Sequence, residues 1–168
     1  MKCPDCGHDN IDGIDACENC EQDFRSIDIP RPKAGLQRCI MLTPLKELDP
    51  APALTVSPHE PIAGAIRVMQ KHQQGSVMVV EKGRLVGIFT EHDALTRLAG
   101  RGLDLERQPI SDVMTRDPKS LKDEDTLAFA MHKMAVGNYR HIPIVDEGKP
   151  LRFVSVRGVL RYLHEQTR

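Results

Sequence analysis

The chain has no tryptophan, and aromatic residues make up only 4% of its 168 residues. Its core must therefore be aliphatic, and an aromatic platform for single-stranded nucleic acid is not expected. No apolar run approaches the roughly 20 residues of a membrane-spanning helix. The first residues, Met1–Cys6, lack the apolar core of a signal peptide. We therefore expect a cytoplasmic protein that does not contact a membrane.

A large excess of positive or negative charge is also lacking, because the formal net charge is only −1 at pH 7. A broad surface that neutralises phosphates is thus not expected, which argues against a nucleic-acid-binding protein. Hydrophobic residues at 40% and charged residues at 28% are typical of a globular chain. A chain of this length can hold one compact core of ordinary size and a small appendage.

Four cysteines form two C-x2-C pairs near the start, Cys3 with Cys6 and Cys17 with Cys20. Four thiolates at about 2.3 Å would close a tetrahedral shell around zinc and leave no position for a substrate. We therefore predict a structural metal site, which supplies the folding free energy of a segment too short to fold on an apolar core. Disulfide pairing is the competing interpretation, and a reducing cytosol disfavours it.

The segment Cys3-Pro4-Asp5-Cys6-Gly7 resembles the first knuckle of a zinc ribbon. In the second knuckle, Glu21 stands where a glycine often follows the last cysteine. Rubredoxin-type iron uses similar knuckles and stays open as an alternative, although rubredoxins carry more aromatic residues than the single Phe24 here. The resemblance implies a zinc ribbon over 1–26, followed by a predicted proline-punctuated linker over 27–40.

The rest of the chain repeats itself: adding 65 to a residue number in the first copy gives its counterpart in the second. The matching pairs include Ala65 with Ala130, Met69 with Met134, Gly83 with Gly148, Thr90 with Ser155, and Leu95 with Leu160. Chance does not readily preserve both register and residue character over this length, so we predict a duplication.

The sequence pattern of each copy predicts an extended segment followed by a helix, two strands and a second helix. Apolar residues at helical spacing begin at Ile62 in the first copy and at Leu127 in the second. The short apolar runs Val77–Val80 and Ile142–Val145 predict buried strands. One unit of this size would be marginal alone, so the two copies are expected to pack together.

Four segments resemble a pair of CBS domains, the tandem unit called a Bateman module: Gly75–Val80, Gly87–Leu95, Val113–Thr115 and Tyr139–Asp146. The resemblance implies one repeat over 41–104 and a second over 105–168. It implies an α+β fold in which two βαββα repeats pack as a pseudo-two-fold pair, preceded by the ribbon. It also implies two symmetry-related clefts, which in this family commonly bind AMP, ADP, ATP or S-adenosylmethionine.

In the family pattern, a Thr or Ser hydroxyl and an Asp three residues later hold the ribose, which here implies Thr90 and Asp93. The chemistry is sound, because a carboxylate can accept hydrogen bonds from both hydroxyls of a vicinal diol. The resemblance implies further contacts from the partner repeat. The predicted ligand-contacting residues are Thr90, Asp93, Met114, Lys119, Ser120, Tyr139, Arg140, His141, Ile142 and Pro143.

The Thr-x-x-Asp pattern also favours a capping box, which stabilises a helix by about 1 kcal/mol and needs no ligand. The second copy separates the two interpretations, because Ser155 keeps the hydroxyl whereas Gly158 replaces the acid. A helix start tolerates that change and a ribose clamp does not. We therefore predict two unequal clefts, of which the one with Asp93 is the better adenosine site. Arg157 and Arg161 beside Gly158 favour a more anionic ligand in the other.

These patterns favour a regulatory or sensor protein over an enzyme, because no nucleophile–base pair, open metal position or phosphate-binding glycine loop is found. The alternative is a protein- or nucleic-acid-interaction adaptor that uses the ribbon, with the CBS pair as a dimerisation scaffold. In the favoured interpretation the partners are an adenosine ligand, a second copy in a homodimer, and an unidentified protein regulated in trans.

Overall fold

The computed structural model describes residues 3, 6–11, 14–24 and 35–167. The chain divides into two compact units, Met1–Ala34 and Gly35–Arg168. Most of the predicted linker lies outside the described residues. Its last part differs from the prediction, because Gly35–Leu42 forms a helix. Ile40 of that helix packs against the core of the second repeat, which gives this stretch a reason to be helical.

In the first unit, two similar turns hold two buried cysteines. The amide of Gly7 donates to the carbonyl of Cys3 at 2.9 Å, and the amide of Glu21 donates to the carbonyl of Cys17 at 2.9 Å. Glu21 has a φ of 59°, close to the 72° of Gly7. The glutamate therefore adopts the left-handed conformation that a glycine adopts more easily, and the turn is kept. Phe24 completes the small core around the two cysteines.

The second unit alternates short strands and helices. Helix α1 spans Gly35–Leu42, and single 3-10 turns lie at Leu45–Leu48 and Ile110–Asp112. The other helices are α2 (Ile62–His72), α3 (Glu91–Leu98), α4 (Leu127–Gly137) and α5 (Val156–Glu165). The strands are β1 (Ala51–Pro52), β2 (Thr55–Val56), β3 (Ser76–Glu81), β4 (Arg84–Thr90), β5 (Thr115–Arg116), β6 (His141–Asp146) and β7 (Lys149–Ser155).

Two sheets form, and each takes one short strand from the other repeat. The first sheet has the order β2-β3-β4-β5, and the second has the order β1-β7-β6. Strand β5 opens the second repeat but pairs antiparallel with β4, placing Thr115 opposite Ile88. In the same way β1 opens the first repeat but pairs with β7, placing Ala51 opposite Phe153. The opening segment of each repeat thus pairs with the strand of the other repeat that leads into its closing helix.

Each repeat has its own aliphatic core, as the absence of tryptophan requires. The first core is built around Ile62, Met69 and Phe89, and the second around Leu127 and Ile144. The apolar faces predicted for α2 and α4 are confirmed as buried. Among the described residues, no helix has both the length and the apolar character needed to cross a bilayer.

The duplication extends to an irregularity in strand pairing. The register shifts between Val79 and Val80 in the first copy. It shifts between Ile144 and Val145 in the second, at the positions related by the same offset of 65. A bulge inherited at matching positions is expected from one ancestral unit that was copied with its local geometry.

The two hairpin turns give a stability prediction. Lys82 and Gly83 have φ values of 49° and 77°, and Glu147 and Gly148 have 46° and 82°. Asparagine tolerates the left-handed conformation at the first of these positions better than lysine or glutamate. We expect Lys82→Asn and Glu147→Asn each to raise the free energy of unfolding by about 0.5 kcal/mol in urea denaturation. Lys149→Asn, within a strand, is the control and should bring no gain; a gain equal to the others would contradict the turn argument.

Candidate functional site

The predicted capping box is present at the junction of β4 and α3. The side-chain oxygen of Thr90 accepts from the amide of Asp93 at 3.2 Å, and Asp93 Oδ2 accepts from the amide of Thr90 at 3.0 Å. The Thr90 hydroxyl also donates to Asp93 Oδ2 at 2.7 Å. Strand β4 ends here because these side chains take the amides that a helix start leaves without partners.

The other carboxylate oxygen of Asp93 is held by residues that the sequence did not indicate. The Thr115 hydroxyl donates to Asp93 Oδ1 at 3.0 Å, and Arg97 Nη2 lies 3.2 Å from the same oxygen. The guanidinium of Arg97 also donates to the carbonyls of Val113 and Met114 at 2.7 and 2.6 Å. Spacing of i and i+4 on α3 could have linked Arg97 to Asp93. Nothing in the local pattern could have linked Thr115, because its position depends on the pairing of β5 with β4.

Asp93 lies in the wall of a cleft of about 410 Å³, which we call the Asp93 cleft. Both repeats contribute to it: α3 of the first, and the segment after β5 and the start of β6 of the second. Of the predicted ligand-contacting residues, those that line it are Thr90, Asp93, Lys119, Tyr139, Arg140 and His141. The cleft therefore brings the acid, one aromatic ring and several cations together.

The remaining predicted contacts lie elsewhere. Met114 is 6% exposed and packs in the first core, where its sulfur occupies the space that a side chain at Gly87 would need. Ile142 and Pro143 are fully buried in strand β6. Ser120 is exposed and does not line the cleft. For Ile142 and Pro143, the sequence pattern cannot distinguish a side chain that faces the cleft from one that faces the core, because their strand is buried.

Charge in the Asp93 cleft is mixed: the acids are Glu91, Asp93 and Asp117, and the cations are Arg97, Arg116, Lys119 and Arg140. Burial lowers the pKa of His141 below its ordinary value; Glu91 opposes this shift and Arg140 adds to it. His141 is therefore expected to be neutral at pH 7, and it can offer both a donor and an acceptor to a ligand. The permanent positive charge in this cleft comes from its lysine and arginine side chains.

A second cleft of about 420 Å³ lies at the start of α5, and we call it the Gly158 cleft. The Ser155 hydroxyl accepts from the amide of Gly158 at 3.1 Å, so the helix is capped without an acid. Arg157 and Arg161 line the cleft. Glu91, Arg140 and His141 line both clefts and form their shared wall.

The four predicted metal ligands lie together in the first unit. Their sulfur atoms lie within 4.8 Å of one another, and the described residues hold no other cluster of this kind. The Cys3 and Cys20 sulfurs are 3.6 Å apart, as are those of Cys6 and Cys17. A tetrahedral site with metal–sulfur bonds of about 2.3 Å requires edges of about 3.8 Å. The donor set therefore fits zinc, and all four cysteines are unpaired thiols rather than disulfides.

The tandem repeats, crossed opening strands and paired clefts define a module of two related repeats. A family model described as "CBS domain" matches residues 40–100 and 110–165, more than half of the chain. The chain therefore belongs to the CBS domain family.

Known relatives agree with this assignment. An uncharacterized 17.7 kDa protein of Acidianus ambivalens is 31% identical over 125 residues, which cover 73% of this chain and 74% of that protein. The CBS domain-containing protein CBSCBSPB1 of Arabidopsis thaliana is 29% identical over 140 residues, or 81% of this chain. This chain spans only 25% of the length of that relative.

Solved structures support the fold. A CBS-domain containing protein from Agrobacterium tumefaciens superposes with a TM-score of 0.66 at 29% identity, covering 71% of this chain and 98% of that one. A CBS domain protein from Pyrobaculum aerophilum superposes with a TM-score of 0.62 at 24% identity, covering 73% of this chain and 98% of that one. The α+β fold of a CBS pair is thereby confirmed.

The contacts of Asp93 give a second stability prediction. Asp93→Ala removes the acid of the capping box and leaves Thr115 and Arg97 without their buried acceptor. We expect it to lower the free energy of unfolding by about 2–3 kcal/mol. Ser155→Ala removes only the equivalent cap and should cost about 1 kcal/mol. Urea denaturation of both variants tests this, and equal losses would contradict a role for Asp93 beyond capping its helix.

Proposed function

We propose that this chain is a regulatory protein that binds an adenosine-containing ligand, AMP, ADP, ATP or S-adenosylmethionine, in the Asp93 cleft. The observation that carries the proposal is a carboxylate that is only 6% exposed yet lies in the wall of an open cleft. Burying a charge is costly unless it is paired. Ser155 caps α5 without any acid, so capping alone does not require Asp93. A ligand that uses the carboxylate gives a reason for it.

The shape and charge of the cleft suit such a ligand. Its volume of about 410 Å³ is within the range of pockets that hold small organic ligands. With the ribose at Asp93, the ring of Tyr139 offers an apolar surface to the base. Lys119, Arg116 and Arg140 offer cations to phosphate or to another anionic group. The absence of an acid at Gly158 supports the Asp93 cleft as the better adenosine site of the two.

The choice of AMP as the first ligand to test has outside support. The structure of the Pyrobaculum aerophilum protein is a complex with AMP. That ligand belongs to that protein, and the likeness at 24% identity establishes the fold. The proposal for this chain rests on its own acid and its own cleft.

We also propose that the four cysteines hold one structural zinc ion. The bound metal supplies folding free energy to a unit in which the core of the described residues is small, with Cys3, Cys17 and Phe24 buried and Ile14 packed against them. Cys3 and Cys17, each 2% exposed, fix the inner side of the site. Cys6 and Cys20 complete it from the exposed side.

Regulation would act through a second copy and a partner protein in trans. Leu95 and Leu160 occupy equivalent positions on α3 and α5 and are 72% and 61% exposed, which supports the proposed homodimer. A ligand can change such an assembly only if it binds one arrangement more tightly than the other.

Isothermal titration calorimetry tests the ligand proposal. Asp93→Asn keeps the shape and the capping acceptor but removes the charge that a sugar diol would use. We expect it to weaken AMP binding by about 10- to 100-fold, as for lost hydrogen bonds to a charged group. ADP, ATP and S-adenosylmethionine are titrated in parallel to rank the ligands.

Asp146→Asn is the matched control, because this exposed acid ends β6 and lies outside both clefts. It should leave affinity unchanged. Wild-type protein that binds none of the four ligands, or Asp93→Asn that binds as tightly as wild type, would overturn the proposal.

Metal analysis tests the zinc proposal. Protein purified under reducing conditions is expected to carry about one zinc ion per chain, as for a closed four-thiolate site. Cys6→Ser should lose most of it, because three thiolates leave the shell open. Cys39→Ser is the control, since this cysteine lies in α1 and outside the cluster. Metal-free wild-type protein would contradict the proposal, and iron instead of zinc would assign the site to the rubredoxin-type alternative.

A further inference from the structure

The carboxylate of Asp93 has at most one acceptor position left for a ligand. Oδ2 accepts from the amide and the hydroxyl of Thr90. Oδ1 accepts from the hydroxyl of Thr115 and lies 3.2 Å from Arg97 Nη2. An ionised carboxylate offers about four lone-pair positions. A sugar diol donates two hydrogen bonds, so it can bind here through both only if one of these donors gives up its place.

The four donors differ in how easily they can leave. The amide and the hydroxyl of Thr90 belong to the cap of α3. Arg97 is fixed by the carbonyls of Val113 and Met114 at 2.7 and 2.6 Å. A hydroxyl proton can turn away by rotation about one bond, and on Oδ1 the only such donor is Thr115, which comes from the other repeat. Arg97 Nη2 donates to Thr115 Oγ1 at 2.9 Å, so this oxygen keeps a partner after its own proton has turned.

The second repeat supplies an internal control. With the offset of 65, Asp93 corresponds to Gly158 and Arg97 corresponds to Tyr162. Thr115 pairs with Ile88, and Ala51 pairs with Phe153, the counterpart of Ile88, so Ala51 stands at the position of Thr115. Where the acid is absent, the cation and the hydroxyl are absent as well. Arg97 and Thr115 are therefore partners of the Asp93 carboxylate and not residues that the fold of both repeats requires.

We propose that Thr115 is an internal competitor for the ribose: its hydroxyl occupies the Asp93 Oδ1 position that a sugar hydroxyl must take. The inference rests on the proposed adenosine function and adds a residue that sets its affinity. Ribose binding replaces the hydrogen bond from Thr115 with one from a sugar hydroxyl. Thr115 thereby keeps the buried carboxylate hydrogen-bonded without a ligand, and it lowers the affinity for the ligand. Arg97 is a positioning residue in this arrangement, because it holds the segment that carries Thr115 against α3.

The test is AMP affinity in variants of the full chain, measured by calorimetry. Thr115→Val removes the hydroxyl, preserves the shape and suits a strand, and is expected to tighten AMP binding by about fivefold, the worth of one hydrogen bond. Thr115→Ala removes the same donor and serves as a second arm. Thr115→Ser restores a hydroxyl and should return the affinity towards that of wild type. Thr96→Val is the matched control, because this exposed hydroxyl on α3 donates to the His92 carbonyl at 2.7 Å and not to Asp93.

A second ligand separates competition from a general effect on the fold. The gain in Thr115→Val should be larger for AMP than for 2′-deoxy-AMP, because the deoxy sugar has one hydroxyl fewer to use the freed position. If wild type binds AMP and both Thr115→Val and Thr115→Ala bind it equally or more weakly, the competition is wrong and the adenosine function stands. A gain of the same size for both ligands would also contradict it. If neither wild type nor the variants bind AMP, the inference fails together with its AMP premise.

Discussion

One buried carboxylate joins the two repeats at the cleft that we assign to the ligand. Asp93 lies on the closing helix of the first repeat, and Thr115 opens the second, so their hydrogen bond crosses between the copies. Arg97 extends this connection to the backbone at Val113 and Met114. A buried acid without these partners would be strongly destabilising. The pairing of β5 with β4 therefore brings Thr115 to the Asp93 carboxylate, and the hydrogen bond between them stabilises that pairing.

The duplication explains why the two clefts share a plan and differ in chemistry. Crossed opening strands place each cleft between the closing helix of one repeat and the opening of the other. At the second helix start, Ser155 still caps while Gly158 carries no charge. Both copies have thus retained the hydroxyl that caps the closing helix, but only the first has an acid three residues after it. Glu91, Arg140 and His141 line both clefts, so the two clefts share one wall.

Much of this architecture follows from local sequence pattern. The spacing of Ile62, Ala65 and Met69 predicts a buried helix face, which is confirmed. The Thr-x-x-Asp pattern predicts the cap at Thr90 and Asp93, which is also present. Such features depend on neighbours close in the chain, where periodicity and capping preferences are informative.

The features that sequence could not predict depend on tertiary pairing. Thr115 reaches Asp93 because a two-residue strand pairs with the other repeat, and so short a strand leaves no periodic pattern. The start of the helix at Gly35–Leu42 falls in the predicted linker, because the packing of this helix against the second repeat does not show in its own composition. Met114 is expected in the cleft and lies in the core, because it fills the space beside Gly87 on β4, a contact that the local pattern does not indicate.

A crystal structure of the full chain grown with AMP would test the central claim most directly. The account predicts density for the nucleotide in the Asp93 cleft, with the ribose hydroxyls within hydrogen-bonding distance of the Asp93 carboxylate and the phosphate towards Lys119 or Arg140. Nucleotide bound only in the Gly158 cleft, or bound with its sugar away from Asp93, would contradict it.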